Sequence, residues 1–356
     1  MITPFAYVAR PMRTLFGAGR LAELGTELSR LGIRRALILS TPDQAGMAQT
    51  VRQQVEDLAC GIYAKATMHT PVEVTADALE QLRALGADGL VALGGGSTIG
   101  LAKALALRTD LPQVAVPTTY AGSEMTPILG ETEHGRKTTQ RNDKTLPETV
   151  IYDMDLTLSL PAGLSATSGV NALAHAVEAL YARDGNPVVS LMAEEGIAAL
   201  GRSLPRIVAD PTGDRDARSD AQYGAWLCGA CLGAVAMGLH HKICHVLGGM
   251  FNLRHAETHT VMLPHVAAYN ASFAPKAMSR VAHALGAENA VSGLFALNRS
   301  LGAPVALRDL GLPETGIGQA VDLIMRDQYA NPQPPEHAAL VEILRRAWVG
   351  EAPVHG

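Results

Sequence analysis

The sequence has few cysteines, no excess of basic residues and no apolar run long enough to cross a bilayer. The net charge is -5 and the lysines and arginines are scattered, which excludes the basic stripe that a nucleic-acid backbone requires. An uncharged run over residues 224–239 is shorter than the ~20 residues of a membrane helix, so it predicts one buried helix. The four cysteines are too few for a disulfide framework: Cys60, Cys228, Cys231 and Cys244.

Two further features of the sequence bear on the location of the protein in the cell. The first ten residues, MITPFAYVAR, lack the apolar core of a signal peptide. Cys228 and Cys231 form a CxxC pair, but the pair lies inside the apolar run rather than after a strand, which favours two buried core residues over a redox site. We therefore expect a cytoplasmic protein that binds neither nucleic acid nor membrane.

A length of 356 residues predicts two domains. Short β-rich runs alternate with helical patterns in the first half, and this alternation indicates an α/β domain with a Rossmann-like parallel sheet over residues 1–160. Beyond Pro161 the patterns become helical and rich in Ala and Leu, which predicts an all-α domain over residues 161–356. A polar stretch at 131–147 is typical of an exposed loop or hairpin. The expected strands are 36–40, 61–66, 88–93, 113–117 and 149–153.

A glycine loop follows the third of these strands and opens an apolar helix. Backbone N–H groups at such a helix start bind the pyrophosphate of a nucleotide, whereas the alternative is only a tight turn. Three consecutive glycines and a serine exceed what a turn needs, although Ile99 stands where the usual dinucleotide fingerprint has its third glycine. Hydroxyls of a second loop, 117–124, could bond phosphate or ribose. The expected cofactor residues here are Gly94, Gly95, Gly96, Ser97, Thr118, Thr119 and Ser123.

Histidines cluster in the second half of the chain, where six of the twelve lie between residues 240 and 265. Asn171 and His175 are four residues apart on one predicted helix face, with Glu178 beside them. His241 and His245 repeat the spacing of four, and His255 and His259 follow a glycine turn. A single histidine is more often a core or surface residue, but paired spacing and clustering favour a shared site.

Several segments resemble the maleylacetate reductases of the iron-containing alcohol dehydrogenase superfamily, and the resemblance covers nearly the whole chain. The segments are GGGSTIGLAK, PTTYAGSEMTP, GRKTTQRNDKTLPETVIYD, LPAGLSATSGVNALAHAVE and the stretch from His245 to His255. The resemblance implies the fold of dehydroquinate synthase and iron-type alcohol dehydrogenases. It also implies a homodimer.

The resemblance also bears on metal binding. In the wider superfamily an Asp and three His hold Fe²⁺ or Zn²⁺, and the matching positions are Asn171, His175, His241 and His255. The Asp is missing, and Gly100 stands where metal-dependent relatives carry Asp. Both departures mark the maleylacetate branch, which the resemblance implies is metal-independent. Three imidazoles can nevertheless hold Zn²⁺ alone. The expectation is a site without metal, in which activity survives chelation.

The implied reaction is reduction of the carbon–carbon double bond of maleylacetate, or of its substituted forms, to 3-oxoadipate in the catabolism of aromatic compounds. Hydride addition to the enone leaves an enolate, which needs hydrogen-bond donors or positive charge. We expect His175, His241, His245 and His255 to act in catalysis. The dianionic substrate calls for cations and polar groups, and the expected substrate residues are Asn171, Tyr120, Lys137 and Arg254.

The expected cofactor is NADH with tolerance of NADPH. Ser40, Thr41 and Pro42 end the first expected strand, where NAD-specific relatives tend to carry an Asp that repels a 2′-phosphate, although Asp43 is close. Ser40 and Lys144 complete the expected cofactor residues. Two alternatives remain. One is a metal-dependent alcohol or polyol dehydrogenase, against which Asn171 argues, and the other is a non-catalytic nucleotide-binding sensor, which would not need clustered histidines.

Overall fold

The computed structural model describes residues 4–133, 136–326 and 329–354, and for residues 136 and 137 the backbone only. The chain divides into two compact units. One is Ala9–Leu160, and the other comprises the described residues between 161 and 354 together with residues 4–8. The predicted division also lies between residues 160 and 161, but residues 4–8 were predicted to belong to the first domain.

The Ala9–Leu160 unit contains a six-stranded parallel sheet in the order β1-β8-β5-β4-β2-β3. The central strands are apolar along their whole length because both faces of a parallel sheet are covered. A separate antiparallel hairpin, β6 and β7, lies within the polar stretch where a loop or hairpin was predicted. The strands are β1 (Arg13–Phe16), β2 (Ala36–Leu39), β3 (Ala59–Tyr63), β4 (Gly89–Gly94), β5 (Gln113–Pro117), β6 (Ile128–Glu133), β7 (Arg136–Arg141) and β8 (Thr149–Tyr152).

Two apolar layers cover this sheet. Leu24, Leu28 and Val51 from two helices pack with Ile38 and Val91 in one core cluster. A second cluster joins residues of β2 and β4 of opposite parity to two other helices, as the alternation of side chains along a strand requires. The helices are α1 (Leu24–Arg30), α2 (Ala45–Gln54), α3 (Val72–Ala84) and α4 (Gly96–Thr109).

The second unit is helical over the residues that the structure describes. Its core joins α8, α9, α12 and α13 through residues such as Leu247, Met262, Ile324 and Leu344. The helices are α5 (Ala162–Leu180), α6 (Pro187–Ala209), α7 (Arg215–Ala234), α8 (Leu239–Phe251), α9 (His255–Asn270), α10 (Pro275–Leu285), α11 (Ala290–Ser300), α12 (Gly316–Arg326) and α13 (His337–Val349).

The prediction of one buried helix over residues 224–239 is wrong. Helix α7 ends at Ala234, α8 begins at Leu239, and the two axes are bent by 95°. Gly238 permits the break, because a Cβ there would lie 3.2 Å from Glu178 Oε1 and 3.0 Å from the Ala330 carbonyl oxygen. Within the described ranges no single helix is long and apolar enough to cross a membrane, and only the bent pair of α7 and α8 passes that test of length and composition together.

Candidate active site

The glycine loop lies where the sequence analysis expected it, between β4 and α4. Gly95 is the N-cap of α4 and provides no side-chain cap, so the first N–H groups of the helix remain available to an anion. A Cβ on Gly94 would lie 2.5 Å from Thr98 Oγ1, and one on Gly95 would lie 2.8 Å from Thr119 Cγ2. These two glycines are therefore required by close packing.

Gly96 differs from its two neighbours. The nearest atom to a Cβ on Gly96 is Ser123 Oγ at 4.0 Å, so the fold itself leaves room for a side chain. Gly96 is also exposed, whereas Gly94 is buried. The space above Gly96 and Ser97, at the start of α4, is therefore where a phosphate group can approach the backbone.

Unpaired hydroxyls support a polar ligand in this unit. Ser40 Oγ, Thr98 Oγ1 and Ser123 Oγ are buried and have no hydrogen-bond partner among the residues described. The hydroxyl of Thr118 already accepts a hydrogen bond from Gln44 Nε2 at 2.7 Å. Since a buried hydroxyl without a partner is costly, the three unpaired groups indicate positions that a bound ligand or water satisfies.

Two expected ligand residues of this unit are placed differently. Lys144 forms an ion pair with Asp110 (Nζ to Oδ2, 3.0 Å), and Asp110 caps the carboxyl end of α4. A helix of this length spans ~20 Å, so Lys144 lies at the end of α4 opposite to the glycine loop. Tyr120 is completely buried, and its hydroxyl donates to Thr157 Oγ1 at 3.3 Å. These positions do not support the predictions that Lys144 binds cofactor and that Tyr120 binds substrate.

The histidine cluster is assembled from three helices of the second unit. Helix α5 carries Asn171 and His175 together with Glu178, one further turn along the same face. Helix α8 contributes the pair at the helix start and the histidine one turn later, and α9 contributes the two histidines of its own first turns. The cluster consists of His175, His240, His241, His245, His255 and His259.

Glu178 orients the centre of this cluster. His241 donates from Nδ1 to Glu178 Oε2 at 2.5 Å, and the backbone N–H groups of Gly238 and His240 donate to the same carboxylate at 3.1 and 2.9 Å. The carboxylate thus caps α8 across the break after α7. Burial raises the pKa of Glu178, but the hydrogen bond and the charge of His241 outweigh it and lower the pKa overall. His241 Nε2 lies 2.8 Å from His175 Nδ1.

His240 and His259, which were not predicted to be catalytic, form a buried pair. His240 Nε2 lies 2.9 Å from His259 Nδ1. Burial lowers the pKa of His240 to about 3, and burial together with the charge of His255 lowers the pKa of His259 well below its ordinary value. Both imidazoles are therefore neutral at pH 7. Their remaining nitrogens, His240 Nδ1 and His259 Nε2, are buried with no partner among the described residues.

His245 and His255 form the accessible side of the cluster. Their rings stack at 6.1 Å between centroids with an interplanar angle of 24°, and both residues are only partly buried. His255 also lies 4.3 Å from His259, centroid to centroid. These two imidazoles can meet a substrate without local unfolding, whereas His175, His240 and His241 are buried behind them.

The expected substrate residues of the helical unit have different surroundings. Asn171 Oδ1 is buried and has no hydrogen-bond partner among the described residues. Arg254 is the N-cap residue of α9, its side chain is mostly exposed, and it pairs with Glu257 (Nη1 to Oε1, 3.2 Å). In the other unit, the side chain of Lys137 lies outside the described part of the structure. Among the expected substrate residues, Asn171 is therefore the one whose buried side-chain oxygen most needs a hydrogen-bond partner from a ligand.

The donor set is suited to a divalent cation. Ligand atoms of His240, His241 and His259 all lie within 4.8 Å of one another, and His175 and His241 approach to 2.8 Å. Three imidazoles suffice to hold a divalent ion such as Zn²⁺. Asn171 Oδ1 offers a neutral oxygen where the wider superfamily has a carboxylate. The number and the separation of these ligand atoms thus fit a metal ion. The site has one anionic ligand fewer than the sites of the wider superfamily.

The family is shown by comparison with known proteins. Residues 11–154 match the family model for iron-containing alcohol dehydrogenase, and residues 165–348 match the carboxyl-terminal model for the Fe-containing alcohol dehydrogenase family. The chain belongs to the iron-containing alcohol dehydrogenase family.

Individual relatives show which members of this family the chain is similar to. The chain is 54% identical over 350 residues to a maleylacetate reductase from Sphingobium indicum, which covers 98% of this chain and 99% of the relative. It superposes on a maleylacetate reductase from Agrobacterium tumefaciens with a TM-score of 0.94 at 52% identity, covering 99% and 100% of the two chains. A putative alcohol dehydrogenase from Ralstonia eutropha gives a TM-score of 0.97 at 52% identity, with the same coverage.

These comparisons confirm the predicted family and fold class. They conflict with the expectation of a site without metal, because the matched family is described as iron-containing and the imidazole cluster fits a cation.

Proposed function

We propose that the protein is a maleylacetate reductase that transfers hydride from NADH or NADPH to the substrate's carbon–carbon double bond. The observation that carries the proposal is the full-length identity of 51 to 54% to several maleylacetate reductases. The two sites described above supply what the reaction needs: a helix start that accepts a pyrophosphate and a cluster of imidazoles that accepts an enolate.

The reaction places specific demands on the histidines. Hydride adds to the alkene carbon remote from the ketone, and the electron pair of the double bond moves to the ketone oxygen as an enolate. A proton then adds to the carbon next to the ketone and restores the carbonyl group. We assign stabilisation of the enolate and delivery of this proton to His245 and His255, because they are the accessible members of the cluster.

The buried residues fix this arrangement. Glu178 holds His241 through Nδ1, and His241 Nε2 in turn meets His175. The side-chain amide of Asn171 is polar but uncharged, so it can contact the substrate without repelling the two negative charges of a dianion. A divalent cation held by His240, His241 and His259, whose ligand atoms lie within 4.8 Å of one another, would supply a Lewis acid for the developing oxyanion.

The cofactor preference is part of the proposal. Ser40 follows β2 at the position where NAD-specific relatives tend to carry an acidic residue that repels a 2′-phosphate, and its buried hydroxyl has no partner among the described residues. We expect both NADH and NADPH to serve, with kcat/KM values that differ by less than ~10³-fold, about 4 kcal/mol. We also propose that the protein is a homodimer. A measurement of its molecular mass in solution tests this proposal.

The test is oxidation of NADH by the purified protein with maleylacetate, with product analysis for 3-oxoadipate. We expect one NADH consumed for each double bond reduced. A second candidate, a metal-dependent alcohol dehydrogenase, is favoured by the metal-compatible imidazole cluster. Parallel assays with short aldehydes, before and after chelation and metal replacement, distinguish the two. Reduction of aldehydes but not of maleylacetate contradicts the proposal.

A further inference from the structure

A lysine buried in α4 has an unusual number of hydrogen-bond acceptors. Lys103 Nζ lies 2.5, 2.7 and 3.1 Å from the carbonyl oxygens of Ser123, Thr126 and Ile128, and 2.9 Å from Thr126 Oγ1. The residue is 1% exposed. Lysine is almost never buried unless it is paired, and a carbonyl oxygen can only accept a hydrogen bond. The four oxygens therefore favour the ammonium form of Lys103, whose three N–H groups they share.

The segment that Lys103 holds is fixed from a second side as well. Glu124 is buried within it, and the hydroxyl of Tyr152 on β8 donates to Glu124 Oε1 at 2.6 Å. Burial lowers the pKa of Lys103 to about 7, and the negative charge of Glu124 opposes that shift. The carbonyl oxygens add to this opposition. Lys103 thus fastens residues 123–128 to α4, and Tyr152 fastens them to the sheet.

The same segment contains a hydroxyl that faces the glycine loop. Ser123 Oγ is buried without a partner among the described residues and is the atom nearest to a Cβ on Gly96, at 4.0 Å. Lys103 holds the carbonyl of that same serine. Gly96 and Lys103 both belong to α4, seven residues or ~10 Å apart along its axis. One helix thus offers its N–H groups to a phosphate and fixes the loop beside them.

We propose that Lys103 is a positioning residue for the nicotinamide cofactor and that its ammonium clamp places the Ser123 hydroxyl beside the glycine loop. The inference rests on the proposed function in taking NADH or NADPH as the ligand of that loop. A purely structural lysine would affect stability and the amount of active protein. If Lys103 is a positioning residue, its removal also lowers the contribution of the Ser123 hydroxyl to the free energy of cofactor binding.

The experiment uses a double-mutant cycle in the full-length protein. Lys103→Met removes the ammonium but leaves Glu124 buried without a countercharge, so the clamp variant is Lys103→Met combined with Glu124→Gln. We expect this variant to fold, to bind NADH at least ~10-fold more weakly by fluorescence titration, and to raise the KM for NADH while kcat and the KM for maleylacetate change less than ~3-fold. Lys65→Met removes an exposed lysine of the same unit, paired with Asp77, and should match wild type.

Ser123→Ala completes the cycle and is independent of whether the clamp variant is stable. In the wild-type background it should weaken NADH binding several-fold, and in the clamp variant it should have little further effect, because the hydroxyl is already misplaced. Unchanged NADH binding in Ser123→Ala, or additive effects of the two changes, overturns the inference. Wild-type protein that binds no NADH overturns the proposed function and the inference with it, whereas NADH binding without coupling overturns the inference alone.

Discussion

Replacing Glu178 by Gln tests the link between the helix break and the histidine cluster. The carboxylate accepts from the N–H groups of Gly238 and His240 and from His241 Nδ1, and the amide of Gln keeps only one accepting oxygen. Hydrogen bonds to a charged group contribute about 1.5–3 kcal/mol each, and a buried donor left unpaired costs about 1–3 kcal/mol. We expect the free energy of unfolding to fall by about 3 kcal/mol and Tm to fall by about 6–12 °C.

Activity should fall as well, because His241 loses the partner that fixes its tautomer and orientation. We expect a loss of at least ~10-fold in kcat/KM for maleylacetate reduction, measured beside calorimetric melts. Glu195→Gln is the matched control, since Glu195 is half-exposed and lies 3.5 Å from Arg202, and it should change stability by less than about 0.5 kcal/mol. A Glu178→Gln protein with a Tm within ~2 °C of wild type and unchanged kcat/KM refutes the reasoning.

Further predictions concern the cofactor loop, the accessible histidines, the metal ligands and the α/β unit. Gly96→Val should abolish NADH binding without lowering Tm, because the fold leaves room there; a folded variant with normal fluorescence titration contradicts the loop assignment. His245→Ala and His255→Ala should each lower kcat/KM by at least ~10²-fold in steady-state assays, and near-normal rates would remove them from catalysis. Asn171→Asp adds an anionic ligand and should tighten Zn²⁺ binding in calorimetric titration; unchanged affinity would place Asn171 outside the donor set. Burial raises the pKa of Glu27, but Arg30 and Arg13 outweigh it and lower the pKa. Glu27→Gln should therefore lower the free energy of unfolding by about 1 kcal/mol at pH 7, and urea melts should show this difference vanishing as the pH falls below 4.5, whereas a constant difference contradicts it.

The parallel sheet was predictable because its central strands are continuous apolar runs between turn signals. The four expected strands that start at residues 36, 88, 113 and 149 correspond to β2, β4, β5 and β8. Strand β1 was missed, since only one of its four residues, Leu15, is buried and the strand pairs solely with β8 at the sheet edge. The hydrophobic pattern of so short a segment does not predict a strand, because the strand forms only through pairing with residues far away in the sequence. The glycine loop consequently follows the fourth strand rather than the third.

The candidate site shows the same limit. Spacing of four brought Asn171 and His175 to one helix face, but it could not reveal that His240 pairs with His259, nineteen residues away. The helix break after Ala234 was invisible because Glu178, which accepts from the N–H of Gly238 at the break, lies on another helix. The positions of Lys144 and Tyr120 were not predictable for a related reason. Composition marks them as polar loop residues but does not tell which end of α4 or which side of the core they occupy.

The distribution of the thiols makes the chain a reporter of its own local unfolding. Cys60 is partly exposed in the α/β unit, whereas Cys228, Cys231 and Cys244 are buried in the helical unit. Burial also raises the pKa values of Cys228 and Cys231, so their thiols stay protonated and unreactive until the helices open. Pulsed alkylation followed by peptide mass analysis would therefore give the opening free energy of the helical unit, with the partly exposed Cys60 as an internal reference in the same sample.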